Sequence, residues 1–238
     1  MTALPLSARL CLWLDAVRSG TAGPDDLAAA VRGDAPRSLV VGLPAQSPDE
    51  GAVELLRLPA LLRGPLSLAL PAPGDLVGLA GPPALNRAAL ETGEAVLVGD
   101  VALLPEDDAR TVVWRAVPAA RAPYVDERET ATALRLALQD VTARLVELDV
   151  AAWRPEVPDL LLNLRHRPPL PLPPGVDPRR RETLERAVLC LEIVDLAGGD
   201  DGGAVSAYEA QRRRDALADL DRAARHALVG ACTGRAAG

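Results

Sequence analysis

The sequence contains no lysine and no phenylalanine, a single isoleucine (Ile193) and two histidines. All 26 basic residues are therefore arginine. This bias runs along the whole chain and is typical of high-GC coding, so an arginine here also fills the solubilising role that lysine fills elsewhere. Without lysine there is no lysine-containing phosphate loop, and two histidines make a histidine-based metal site improbable.

Cysteine is also scarce, and long apolar runs are missing. The cysteines are odd in number, far apart and free of any CxxC spacing, which predicts small buried side chains in a reduced chain: Cys11, Cys190 and Cys232. No stretch reaches the length of a transmembrane helix. The apolar segment 6–17 is interrupted by Arg9 and Asp15, which excludes a signal peptide. We therefore expect a cytoplasmic protein without a membrane span.

The charge balance is acidic, with a formal net charge of −7 and a pI near 5.0. Acidic proteins are poor non-specific binders of nucleic acid, because that binding requires many cationic contacts to phosphates. Two arginine runs, 179–181 and 212–214, lie near predicted helix starts, where consecutive side chains point in different directions. Only two tyrosines are present for base stacking. Nucleic acid is thus not an expected partner.

The first region of the chain, 1–122, reads as a mixed layer of helices and strands. Apolar spacing and caps predict helices at 7–18, 25–32, 49–59 and 84–91. The helix predicted at 49–59 has a start signal in Ser47-Pro48-Asp49-Glu50, with Ser47 as N-cap, Pro48 at position N1 and Glu50 at N3. Short apolar runs predict four strands, with 101–104 as a fifth option: 39–43, 66–70, 95–98 and 111–117.

The second region, 123–238, contains helical patterns and no convincing strand. The predicted helices are 126–149, 158–166, 177–197 and a last helix that starts at Ser206. The fold class that follows is α+β, with an N-terminal mixed α/β layer of four or five short strands and a C-terminal all-helical bundle. The boundary falls near Pro123, and the sequence leaves open whether the two regions share one core.

One polar constellation stands out in the predicted bundle. The helix that covers 187–197 is apolar nearly all round, yet it carries Glu192 and Asp195 one turn apart. Buried carboxylates need partners, and the donors nearest in sequence are Arg154, Asn163, Arg165 and His166. These six residues predict either a polar binding pocket or an Arg–carboxylate network that sets the helix register. The network is the favoured interpretation, because no nucleophile or metal motif accompanies the acids.

A second candidate is the glycine-rich stretch 74–83, between a predicted strand and a predicted helix. Its backbone amides at Gly78 and Gly81 could contact an anion at the helix start. Neither known phosphate-loop spacing is present, and Asp75 would repel a phosphate, so a plain ordered loop is favoured. No GxSxG elbow occurs either. The sequence predicts no catalytic residue, no cofactor and no metal ligand.

Three segments carry a resemblance to known proteins. They are Asp149-Val-Ala-Ala-Trp-Arg-Pro-Glu, Asn163-Leu-Arg-His-Arg-Pro and Asp201-Gly-Gly-Ala-Val-Ser. The chain resembles conserved proteins of high-GC actinobacteria that have no assigned function. The resemblance implies a cytoplasmic bacterial protein and transfers no activity or residue role.

The favoured function is a non-enzymatic interaction or structural protein, with self-association through apolar helix surface as one option and an unknown protein partner as the other. The alternative is a small-molecule-binding protein or enzyme, with a pocket around Glu192, Asp195, Arg165 and His166. The two hypotheses differ in whether these groups converge on an open cavity or pair with one another.

Overall fold

The computed structural model describes residues 4–33, 35–44, 51–108, 111–147, 169–198 and 207–233. These ranges contain seven α-helices: α1 (Leu6–Arg18), α2 (Pro24–Arg32), α3 (Leu58–Leu61), α4 (Pro83–Thr92), α5 (Glu127–Glu147), α6 (Pro178–Gly198) and α7 (Ala207–Cys232). A 3-10 turn, Leu55–Arg57, precedes α3. The six strands are β1 (Arg37–Val41), β2 (Val53–Glu54), β3 (Leu66–Ala69), β4 (Ala95–Val98), β5 (Val101–Asp108) and β6 (Thr111–Pro118).

The strands form one mixed sheet in the order β2-β1-β6-β5-β4-β3. Strands β3 to β6 are an antiparallel meander, and β1 adds to β6 in parallel, with Val40 opposite Trp114. The buried Trp114 Nε1–H donates a hydrogen bond to Ser38 Oγ at 3.2 Å. This bond gives the indole nitrogen a partner inside the core and ties β1 to β6 at that register.

Both faces of β3 and β4 are covered, so these two strands read as continuous apolar runs. In β4, Val96 and Val98 join the main core on one face, whereas Ala95 and Leu97 pack on the other face in a smaller cluster with α4. Successive side chains of a strand point to opposite faces, so one run supplies both clusters.

The main core crosses from the N-terminal region into the helical one. It contains Leu10 and Leu14 of α1, Leu103 and Trp114 of the sheet, and Leu220 of α7, among others. Helix α7 contacts α5, α6, α1 and strand β3. In the described part of the chain, the two regions are therefore joined by one continuous apolar cluster.

The α+β class and its order along the chain are confirmed, since the sheet lies in the first region and the described part of the second is helical. The number of strands is wrong, because six are present rather than four or five. The additional strand is β2, inside a segment that the sequence predicts as helical. Val53 and Glu54 pair with β1, and the helix is confined to residues after them.

The end of β5 also differs from expectation. The strand option 101–104 continues through three acids that are typical of a turn, since Glu106, Asp107 and Asp108 pair with Val113, Val112 and Thr111 of β6. Three acids read locally as a turn, but the hairpin partner extends the strand through them.

Candidate functional site

The segment 119–126, between β6 and α5, has neither helix nor strand and borders a groove of about 510 Å³. We call this groove the junction groove, because it lies where the sheet, the start of α5 and the end of α7 meet. Its lining is Pro65, Leu66, Ser67, Leu97, Gly99, Arg121, Ala122, Pro123, Tyr124, Val125, Asp126, Glu127, Arg128, Gly230 and Thr233.

Asp126 shapes one wall by capping α5. Its Oδ1 accepts hydrogen bonds from the backbone N–H of Arg128 at 2.8 Å and of Glu129 at 2.9 Å, and Tyr124 Oη donates to its Oδ2 at 3.1 Å. The pKa of Asp126 is lowered by the Glu129 backbone bond, followed by the Tyr124 bond. The ionised carboxylate stabilises the positive end of the helix and restrains the tyrosine.

The opposite wall depends on a close helix crossing. Gly230 of α7 lies so near α5 that a Cβ there would overlap Thr130 Oγ1 and lie 3.2 Å from Glu127 Cα. Thr130 Oγ1 in turn donates to the Asp126 backbone oxygen at 2.9 Å. The absence of a side chain at Gly230 thus brings the end of α7 against the start of α5 and defines the width of the groove.

The mouth of the groove carries residue types that favour binding. Tyr124 is 85% exposed, although tyrosine is on average intermediate in burial in folded proteins. Arg121 and Arg128 are exposed beside it, over a floor of mixed polar and apolar character that includes Pro65 and Ser67. Tyrosine and arginine are the types most enriched at the energetic centres of protein interfaces. The arrangement can hold an extended chain or a small ligand.

A second groove, of about 870 Å³, lies along β2 and α3 beside the β4–β5 turn. Its lining includes Glu54, Arg57, Arg63 and Asp100, so acids and arginines are balanced. The lining residues Pro44 and Gly51 flank 45–50, which lie outside the described residues, so its full outline is not described. The junction groove is the better-defined candidate.

A separate polar cluster ties the glycine-rich loop to α7. Arg225 Nη1 donates to Asp75 Oδ2 at 2.8 Å and to the Leu70 backbone oxygen at 2.9 Å, and its Nε donates to Asp221 at 2.8 Å. His226 Nε2 lies 3.0 Å from Asp75 Oδ2. Burial opposes ionisation of Asp75, but the bonds from Arg225 and His226 outweigh it, so the pKa of this carboxyl is lowered. The cluster is a structural clasp rather than an open site.

Glu94 is a partly buried acid with a structural role. Its Oε2 accepts the backbone N–H of Ser7 at 2.8 Å and so caps the start of α1. Burial raises the pKa of this carboxyl, and the bonds from Ser7 only partly counter that effect. The carboxylate satisfies helix N–H groups that would otherwise be unpaired inside the protein.

The three cysteines are free and buried. Cys11 Sγ donates to the Cys232 backbone oxygen at 3.0 Å. Burial raises the pKa of all three thiols, to about 11 for Cys190 and about 12 for Cys232. At neutral pH they are protonated and behave as small core residues.

The six residues of the predicted polar constellation are only partly placed. Four of them, Arg154, Asn163, Arg165 and His166, lie outside the described residues. Glu192 is buried in α6 and has an interaction partner, whereas Asp195 is exposed. Whether the six converge, as a pocket or as a network, stays a prediction.

The predicted anion loop is packed against the sheet. Gly78 has φ +84°, and a Cβ there would overlap Leu68 O and lie 2.6 Å from Ala69 Cα of β3. Gly81 is also buried, and Leu79 N–H is bonded to Leu76 O at 3.0 Å inside the loop. The two glycines therefore have a structural reason for being glycine, and anion binding by them stays a prediction.

Sequence reasoning missed the junction groove. A usable signal was the segment Arg121-Ala122-Pro123-Tyr124, where one of two tyrosines stands outside every apolar stripe. The clasp was missed because Asp75 and Arg225 are 150 positions apart. From the sequence, Asp75 was treated only as a residue that repels anions.

In the described ranges, no helix combines the length and the apolar character needed to cross a bilayer. Among the same residues, no three His, Cys, Asp or Glu side chains are grouped closely enough to hold a metal ion.

Comparison with known proteins gives a family. The N-terminal domain of Rv1486c-like proteins matches residues 7–129, and their C-terminal domain matches residues 128–229. Two relatives from Mycobacterium tuberculosis strains, named Uncharacterized protein Rv1486c and Uncharacterized protein MT1533, are each 31% identical over 95% of this chain and 96% of their own length. No solved structure matches the chain. The actinobacterial resemblance is thereby supported at the level of a conserved family of unknown function, and the chain belongs to the Rv1486c-like family.

Proposed function

We propose that this protein is a non-enzymatic interaction protein of the bacterial cytoplasm that binds a protein partner through the junction groove. The observation that carries the proposal is Tyr124, which is 85% exposed and donates a hydrogen bond to Asp126 at the mouth of the junction groove. An aromatic side chain whose rotamer is already restrained loses little entropy on binding, so its burial by a partner is favourable. The three buried free thiols support a reducing compartment.

The polar clusters of the described residues favour a structural role over catalysis. Asp75 is engaged by Arg225 and His226, and Glu94 is engaged by the start of α1. Catalytic acids and bases need access to a substrate in a plausible pose, and these carboxylates are already bound to the protein's own donors.

The test compares three tagged chains in the bacterium from which the gene comes: wild type, Tyr124→Ala, and Leu136→Ala as a matched control. Leu136 lies on α5, is 60% exposed and does not line the groove. We expect one co-purifying protein to be lost with Tyr124→Ala and retained with Leu136→Ala. Calorimetry with that purified protein should then give weaker binding for Tyr124→Ala alone, by about tenfold or more for a central interface tyrosine. Equal recovery with both variants would contradict the proposal.

Small-molecule binding is the second candidate, because a volume of about 510 Å³ is within the usual range of ligand pockets. A thermal-shift screen with nucleotides, common metabolites and phosphate separates the two. A ligand at about 100 times its Kd stabilises a protein by about 2.7 kcal/mol. A ligand-induced rise in Tm that is lost in Arg128→Gln would favour a ligand in the junction groove. A rise in Tm that is lost in Glu192→Gln would instead favour the pocket around Glu192, Asp195, Arg165 and His166.

A further inference from the structure

The surface around the junction groove carries a protruding side chain and a recess side by side. Tyr124 is 85% exposed at the mouth, and the groove next to it has a volume of about 510 Å³. In a twofold-symmetric dimer the same patch occurs on both subunits, so the patch must fit itself. A surface with both a projecting tyrosine and a groove meets this requirement, because each copy can cover the tyrosine of the other.

The charges of the groove lining are balanced. Arg121 and Arg128 lie with Asp126 and Glu127, and the charge of Arg128 helps to lower the pKa of Asp126. Such a patch favours neither a strongly acidic nor a strongly basic partner. The whole chain has a net charge of −7, so two copies repel each other at long range. Contact between copies is therefore most favourable at a patch where the local charges cancel.

The order of the charges along the chain also suits pairing between two copies. Arg121 precedes Tyr124 by three positions, and Glu127 follows Tyr124 by three. If the segments 121–127 of two copies lie antiparallel about a twofold axis at Tyr124, Arg121 of each copy lies opposite Glu127 of the other. This arrangement gives two pairs of opposite charge around a central tyrosine, the place where interfaces concentrate their binding energy.

We propose that the partner in the junction groove is a second copy of this chain, and this inference rests on the proposed function. Tyr124 of each copy is covered by the groove of the other, and Arg121 pairs with Glu127 across the twofold axis. Fifteen described residues line the groove, whereas a stable interface has about 20–30 residues on each side. Dimerisation is therefore weak and depends on protein concentration.

Sedimentation of the purified full-length protein over a range of concentrations tests this inference. The variants are Tyr124→Ala, Arg121→Glu, Glu127→Arg and the control Arg87→Glu. Arg87 lies on α4, is exposed and does not line the groove, so its substitution makes the same charge change as Arg121→Glu at another place. Thermal melting of each variant establishes that it is folded.

We expect wild type and Arg87→Glu to form dimers as the concentration rises. Tyr124→Ala, Arg121→Glu and Glu127→Arg should each dimerise at least about tenfold more weakly, because a central contact is lost or like charges face each other. An equimolar mixture of Arg121→Glu and Glu127→Arg chains should recover dimers, since both charge pairs are then restored with their signs exchanged.

A wild-type chain that stays monomeric would overturn this inference, and so would a mixture that associates no better than either variant alone. In both cases a different co-purifying protein that depends on Tyr124 would still support the proposed function. If no association of any kind depends on Tyr124, the inference and the proposed function both fail.

Discussion

The clasp between the glycine-rich loop and α7 allows one prediction to be worked through. In the Asp75→Asn variant the side chain keeps its shape but has one acceptor oxygen for the two donors, Arg225 Nη1 and His226 Nε2. Its new N–H₂ group also faces a cation. Asp75 is 14% and Arg225 12% exposed, so water replaces the lost bond poorly. Losing one partner of such a pair costs about 1–3 kcal/mol of unfolding free energy.

The matched control is Asp221→Asn, which breaks the other ion pair of Arg225. Asp221 is 32% exposed and lies one helical turn away, so its pair contributes about 0.3–0.5 kcal/mol. At about 2–4 °C per kcal/mol for a chain of this length, a 2 kcal/mol loss lowers Tm by about 4–8 °C. Asp221→Asn should lower it by about 1–2 °C at most.

The pH dependence provides a second check. The pKa of Asp75 is lowered in the folded protein, so its contribution is fully present above the unfolded value of about 3.9 and disappears as pH falls through the folded value. The Tm difference between wild type and Asp75→Asn should therefore shrink as pH falls below the unfolded value of Asp75. Equal melting of the Asp75 and Asp221 variants, or a difference that does not change in acid, would refute the reasoning.

Three other predictions concern packing, burial and reactivity. Gly78→Ala should lower the free energy of unfolding by about 2–5 kcal/mol, because the new Cβ clashes with β3 and the residue has a left-handed φ. Gly74→Ala is the control, since Gly74 has φ +82° but open space around it, and it should cost about 1–2 kcal/mol. Chemical denaturation measures both values. The Glu94→Gln variant should become more stable relative to wild type as pH rises from about 4 to about 8. The folded pKa of Glu94 is raised, so the contribution of this carboxyl to wild-type stability is lost as pH rises through that folded value. A Tm difference between the two proteins that stays constant over this pH range would contradict the prediction. The three buried thiols should react with Ellman's reagent only at the rate of unfolding, and immediate labelling of native protein would show that they are accessible.

The helices were largely predictable because their signals are local. The stripe that includes Leu134 and Val141 and the apolar positions of α7, such as Leu220 and Leu228, recur at helical spacing in the sequence and are buried in the structure. Each prediction needs only residues within a turn or two, so most helix boundaries in the described residues agree to within a few positions. The predicted helix 49–59 is the exception, because the α-helix there is only Leu58–Leu61.

The candidate site was not predictable in the same way. Tyr124 and Arg121 have no sequence motif around them. The groove that their segment lines exists only because α7 approaches α5 closely at Gly230. Glu192 was singled out because a carboxylate in an apolar helix is unusual, and it is indeed buried. Its partners depend on contacts that helical spacing does not encode.

The sequence alone determined the α+β class, the order of mixed and helical regions and most helix positions, because apolar periodicity and caps act over a few residues. Only the tertiary structure decided that Val53 and Glu54 form a strand beside β1, and that Asp75 meets Arg225 across 150 positions. Strand pairing and ion pairing are settled by which surfaces meet when the core closes, and that meeting is a property of the whole chain rather than of any segment.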